Sequence, residues 1–251
     1  MQKPDSLNAK KVIEQQNIPL DTFPGFLQGI RFCEGMKPED FPATVKVPKG
    51  WSEEMWRWHK ESVRTHGNRE IAVPLYVKDT SDVMRVDSGL AMGERHTLQF
   101  DTKSAVWKDG TKGSPALEGY RPIGFLHTHP WDVNGPFPGF HDNSQQMLFS
   151  NGDLIFLLSH NIGGEHMPSF WVSTQTGFGV FVATQEIFAK VDKILQGRMQ
   201  KNGKVVTIDD VMEGFYKDAQ QNPHGEADLQ RATNWGIVYY SSDAQGNLRK
   251  H

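Results

Sequence analysis

The residues best suited to chemistry are His127 and His129 in His127-Thr128-His129-Pro130, which closes the apolar run Gly124-Phe125-Leu126. On an extended strand, residues i and i+2 project from the same side. Two neutral imidazoles at that spacing stand a few ångström apart and can share one cation. HxH alone is a weak sign, because strand ends often carry polar residues. A metal site needs a third donor, and two carboxylates downstream qualify. Asp153 lies three residues after Ser150 in Ser150-Asn151-Gly152-Asp153, a pattern that also reads as a helix opening capped by Ser150. Asp142, beside His141, stands nearer to the histidines in the chain. A further carboxylate to move protons is offered by Glu70, at the head of an apolar run, or by Glu94. The only cysteine is Cys33, so thiolate-rich zinc sites and internal disulfides are excluded and any metal must be held by histidines and carboxylates.

The elements that position these residues belong to a folded chain. Its 251 residues are 37% hydrophobic and 23% charged, enough to bury a core. With 27 basic against 30 acidic residues, the net charge of -3 provides no general positive field for nucleic acid or an anionic membrane, and neither is expected as a partner. The first residues lack the apolar stretch of a secretory leader, and no run approaches the ~20 apolar residues of a membrane span. The expected location is the cytoplasm, or outside it by a dedicated secretion machine that needs no signal peptide.

Residues 1–50 are broken by Pro4, Pro19, Pro24, Pro38, Pro42 and Pro48, carry one helical candidate over 6–16, and read as an extension that wraps or links. The spacing predicts a helix over 52–66, capped by Ser52, with Met55, Trp58, Ser62 and Val63 facing inward and Gly67 as its stop. Strands are expected at 71–77, 83–86, 96–100 and 122–127, with Pro74 making the first an edge or bulged strand. A hairpin is expected across Gln175-Thr176-Gly177, helices over 185–198 and 208–220, the second capped by Thr207, and a closing strand at 235–240. The fold class is therefore α/β (α+β), one mixed sheet flanked by helices. Trp51, Trp56 and Trp58 read as packing residues, and His59, His66, His96, His160, His166 and His224 as ordinary surface or core histidines.

Taken in order, Glu70, then His127-Thr128-His129-Pro130, then Ser150-Asn151-Gly152-Asp153 resemble the JAB/MPN (JAMM) metallopeptidase family, whose signature is a strand-borne Glu followed by HxHP and SxxD. The wording is most similar to JAB-like domains of bacterial polymorphic toxins, and the resemblance covers residues 51–183. It implies an MPN/cytidine-deaminase-like catalytic domain over 51–185, with 1–50 as an N-terminal extension and 186–251 as a helical region with a closing strand on the same unit. It further implies Zn2+ held by His127, His129 and Asp153, Glu70 as proton acceptor, Ser150 as oxyanion donor, and hydrolysis of a peptide or isopeptide amide. The implied partners are a protein or peptide substrate and, in the toxin setting, an immunity or delivery protein. The sequence departs from the family in placing 19 residues between Pro130 and Ser150, well beyond the usual spacing. That insertion contains Asp142 and the stiff apolar stretch 135–140, which reads as a rim or lid over the site. A non-catalytic MPN-type interaction module and a metal-dependent amidase of cell-wall peptide are the competing readings.

Overall fold

The computed structural model describes residues 19–64, 70–78, 84–86, 91–92, 120–129, 151–162, 167–174, 177–221, 230 and 232–251. Thr22 opens the first helix, α1 (Phe23–Arg31), its hydroxyl accepting the Gly25 N–H at 3.3 Å. Pro24 lies in the first turn, where a missing N–H costs nothing, so this proline starts a helix where the sequence reads a break. Then follow β1 (Thr44–Val45), α2 (Lys49–Arg64), β2 (Ile71–Lys78), β3 (Met84–Val86), β4 (Ala91–Met92), β5 (Tyr120–Thr128), α3 (Asn151–Ile162), β6 (Ser169–Ser173) and β7 (Phe178–Ala183). The chain ends with α4 (Gln185–Leu195), β8 (Gln200–Lys201), β9 (Lys204–Val205), α5 (Ile208–Gln221), β10 (Ile237–Ser242) and β11 (Leu248–Lys250). The helical candidate at 6–16 and the strand expected at 96–100 lie outside the described residues.

Among the described residues nine strands form one mixed sheet in the order β1-β11-β10-β7-β6-β5-β2-β3, with β4 also paired to β2. Only β5 and β6 run parallel; the other described pairs are antiparallel. Parallel neighbours require a crossover, and α3 lies on it. Consecutive residues of β6 show that helices cover both faces: Phe170 meets Phe156 of α3, with ring centroids 4.8 Å apart, while Trp171 meets Phe26 of α1 at 6.3 Å. The α/β class expected from the alternation of elements is the one observed.

Residues 19–48 do more than wrap or link. Phe23, Phe26, Leu27 and Ile30 fall at helical spacing and are buried, and Phe26 also packs edge-on against Tyr240 at 5.0 Å. The Tyr240 hydroxyl donates to the Pro42 carbonyl at 2.6 Å, and β1 pairs with β11. The two ends of the described chain thus complete the sheet that carries β5. Pro74 is tolerated for a related reason. β2 is paired on both sides, not an edge, but β4 pairs with Ile71 and Ala72 while β3 pairs with Leu75 to Val77, so Pro74 sits in the gap between them. The bulge expected near it falls between Leu75 and Tyr76.

Helix α2 begins at Lys49, so Ser52 lies inside it and does not cap it. Its buried residues are Ser52, Met55, His59 and Ser62. The inner stripe therefore includes His59 where the sequence places Trp58 and Val63; Trp58 is half-buried under the Arg57 guanidinium, 4.5 Å from its ring. The Thr207 cap of α5 is formed as expected, its hydroxyl accepting the Asp210 N–H while the Asp210 carboxylate accepts the Thr207 N–H at 2.8 Å.

Gly124 is the tight point of β5. Its φ is +151°, and a Cβ there would stand 2.2 Å from the Ser169 carbonyl oxygen of β6. Gly124→Ala is expected to lower stability by about 2–3 kcal/mol in urea denaturation by prying β5 from β6. A loss within experimental error would show that this contact does not hold the pair.

Candidate metal centre

The centre is built where β5 ends. Ala72 of β2 pairs with His127, and Glu70, just before β2, lies within electrostatic reach of His129, just after β5. Thr128, between the histidines, points to the other face, and its hydroxyl accepts the Ile71 N–H at 3.1 Å, fixing the start of β2 against the end of β5. The His129 N–H donates to the Ser173 carbonyl of β6 at 3.0 Å. The crossover brings Asp153 in the first turn of α3, where the helix dipole favours a carboxylate. Asn161, near the other end of α3, pins the helix to the chain entering β6: its amide donates to the Leu157 and Met167 carbonyls and its oxygen accepts the Met167 N–H.

The side chains converge tightly. His127 Nδ1 lies 2.8 Å from the Trp171 carbonyl oxygen. A carbonyl only accepts, so Nδ1 carries the hydrogen and the Nε2 lone pair faces the cluster. Phe170 stacks on the same ring at 4.5 Å and 17°. His127 Nε2 is 2.9 Å from His129 Nε2 and 2.9 Å from Asp153 Oδ1, and His129 Nε2 is 3.5 Å from Asp153 Oδ2. All three residues are buried, at 3%, 7% and 7% exposure, so they are not a casual surface cluster. Donors ~2.1 Å from a common tetrahedral centre are separated by about 3.4 Å, which the observed spacings bracket. Two imidazoles and a carboxylate so placed can hold a metal ion.

The electrostatics agree with a site built for positive charge. Burial pushes the Asp153 carboxyl upward, yet His127 and then His129 outweigh it and hold the group well below the usual carboxylate range. Burial pulls His127 down, but Asp153 overrides it and holds the imidazole above its ordinary value. Glu70 is not one of the three clustered donors but lies within electrostatic reach of each; burial raises its carboxyl, and His129 and His127 only partly reverse this. A partly buried carboxyl beside the donor group, with its proton affinity raised, suits proton transfer.

His59 was not legible as part of this neighbourhood. It lies 68 residues before His127 with no ligand-like spacing, and the only sign was its place four residues after Met55 on one helix face. In the structure it is buried on α2 within electrostatic reach of His129, and burial pushes its pKa down to about 4. Ser150, Asp142, Glu94 and the stretch 135–140 lie outside the described residues.

Among the described residues no helix is long and apolar enough to cross a membrane. Compared with known proteins, the chain matches no family model and no curated protein.

Protons and a metal ion compete for His127 Nε2, and Asp153 raises the affinity of that nitrogen for its proton. Zinc affinity should therefore fall as pH falls, by about tenfold per pH unit once His127 is protonated. Calorimetry in buffers of different ionisation enthalpy should register proton release on binding; affinity and heat independent of pH between about 6 and 8 would contradict this coupling.

Proposed function

We propose that this chain is a zinc-dependent hydrolase of the JAMM type that cleaves a peptide or isopeptide amide bond, with an MPN-like catalytic region over 51–185. The observation that carries the reading is the buried convergence of His127, His129 and Asp153 with Glu70 beside them, in the order of the family signature. The wide gap between Pro130 and Ser150 does not weigh against it, because Asp153 stands 2.9 Å from His127 regardless of the intervening length.

His127, His129 and Asp153 would hold the ion as three protein ligands, the number found at catalytic rather than closed structural centres. Bound zinc supplies Lewis acidity, polarising a carbonyl and bringing the pKa of water toward ~7. The chain's own residues supply the rest. Glu70 accepts a proton at its carboxylate as water adds to the carbonyl, and returns it to the departing amine nitrogen. Its raised proton affinity serves the return step, since a weakly basic carboxylate would hold the proton too loosely to deliver it. Ser150, immediately before α3 in the sequence, takes the oxyanion role that the motif implies, a donor whose loss typically costs ~2.7–4 kcal/mol of transition-state stabilisation. The substrate is a protein or peptide. In a toxin effector an immunity or delivery protein would be a second partner, and the chain would act in the cytoplasm or be exported by a dedicated secretion machine.

Zinc content and turnover in two variants test the assignment, with peptide, isopeptide-linked and cell-wall peptide substrates read by mass spectrometry. Glu70→Gln should keep about one zinc per chain and lose at least ~10²-fold in turnover, whereas His129→Ala should lose the zinc. Zinc-loaded wild type that leaves all peptide and isopeptide substrates intact would contradict the hydrolase, cleavage of cell-wall peptide alone would favour the amidase, and loss of zinc from Glu70→Gln would make Glu70 a ligand.

A further inference from the structure

The hairpin β8–β9 turns at Asn202-Gly203, both at positive φ (53° and 76°), the two-residue turn that suits the twist of paired strands. Its register sets Lys201 opposite Lys204, and two pairs further on the Val206 N–H donates to the Met199 carbonyl at 2.9 Å. Side chains alternate along a strand, so Met199, Lys201, Lys204 and Val206 share one face of the hairpin. All four line a cleft of about 700 Å³, to which α5 contributes Val211 and Gly214 and the chain entering β10 contributes Trp235. Met199, Val206 and Trp235 are half-buried and apolar, whereas Lys201 and Lys204, beside the turn, are exposed.

Two features of this cleft disfavour the chain by itself. Lys201 and Lys204 are like charges placed directly across the hairpin, which destabilises paired strands, and neither forms an ion pair among the described residues. Asp210, the carboxylate that lines the cleft, accepts the Thr207 N–H at 2.8 Å and the Thr207 hydroxyl at 2.7 Å, so it is engaged in the helix cap. Gly214 lies inside α5, where glycine weakens a helix relative to alanine, yet a Cβ there would meet nothing within 4 Å. Close packing therefore does not account for glycine at this position; its effect is to leave the cleft wall bare. An apolar side chain flanked by carboxylates would fill the cleft and relieve the lysine pair.

The apolar surface continues past the cleft. Val205 and Leu195 are 50% and 54% exposed, and a Cβ on Gly197, two residues after Leu195, would stand 3.9 Å from Val205 Cγ1. Apolar surface of that extent beside a cleft suits a protein segment better than a small anion.

We propose that the cleft formed by hairpin β8–β9, α5 and Trp235 docks an acidic segment of a partner protein, one apolar side chain of which packs on Met199, Val206 and Trp235 while its carboxylates meet Lys201 and Lys204. This goes beyond the hydrolase reading and does not rest on it, since none of these residues belongs to the metal centre.

The test uses the full chain and a fluorescein-labelled short peptide with tryptophan between glutamates and aspartates, read by fluorescence anisotropy. Control peptides carry lysines in place of the acids, or alanine in place of the tryptophan. The variants are the double change Lys201→Glu with Lys204→Glu, which reverses the exposed pair, and Gly214→Leu, which fills the cleft wall; thermal melting checks that each folds. The expected result is saturable binding of the acidic tryptophan peptide, weakened at least ~10-fold by the charge reversal and at least ~5-fold by Gly214→Leu, and weakened as salt rises from ~0.05 to ~0.5 M. No saturation by ~1 mM peptide, binding that either folded variant leaves within twofold of wild type, or equal binding of either control peptide would overturn the proposal. If Gly214→Leu fails to fold, the charge reversal and the control peptides decide. Sedimentation in which wild type self-associates and the charge reversal abolishes it would assign the cleft to a second copy of this chain, and would equally overturn the acidic partner.

Discussion

The hydrogen bond from His127 Nδ1 to the Trp171 carbonyl is the contact on which the site depends. It decides which imidazole nitrogen keeps its lone pair, and so whether β5 presents a ligand or a donor to Asp153. That bond exists because β5 and β6 run side by side and parallel, with Leu126 in register with Trp171. The parallel pairing in turn requires the crossover that carries α3, and α3 delivers Asp153 over the end of the same strand. Tautomer, donor cluster and topology are thus consequences of one local arrangement of the sheet.

Burying two imidazoles and a carboxylate beside Phe170 is costly. The opposed shifts of Asp153, held down, and His127, held up, describe a pair that stabilises its own charges when no cation is present. A buried ion pair is a weak device for stability, since apolar residues of the same volume commonly do as well. Its persistence at the end of a central strand, with the raised carboxyl of Glu70 beside it, makes more sense as a site that exchanges protons for a cation.

How much of this could be read beforehand depended on whether the signal was local. The β6–β7 hairpin, the Thr207 cap of α5, the strand leading to His127 and the His127–Thr128–His129 spacing are set by residues within a few positions of one another, and the sequence shows them directly. Pro24 and the stripe Phe23, Phe26, Leu27 and Ile30 were equally local, but proline at the opening of a helix and proline as a break look alike until the Thr22 cap is given weight. β1 was hidden because it is two residues long and its only named strand partner, β11, lies two hundred residues away. His59 was hidden because an inward-facing histidine on a tryptophan-rich helix carries no periodic signal of its own, and Trp58 claimed the inner face on hydrophobicity alone. Asp153 meets the histidines through a tertiary crossover whose length, 19 residues between Pro130 and Ser150, conveys nothing about where its ends lie in space.

The most direct measurement is X-ray absorption at the zinc edge on the zinc-loaded chain, compared with the same chain carrying Asp153→Asn. The account predicts a four-coordinate ion with two imidazole nitrogens and a carboxylate oxygen at ~2.0–2.2 Å, and a changed first shell when Asp153 is altered. An all-water first shell, or a spectrum that Asp153→Asn leaves untouched, would contradict it.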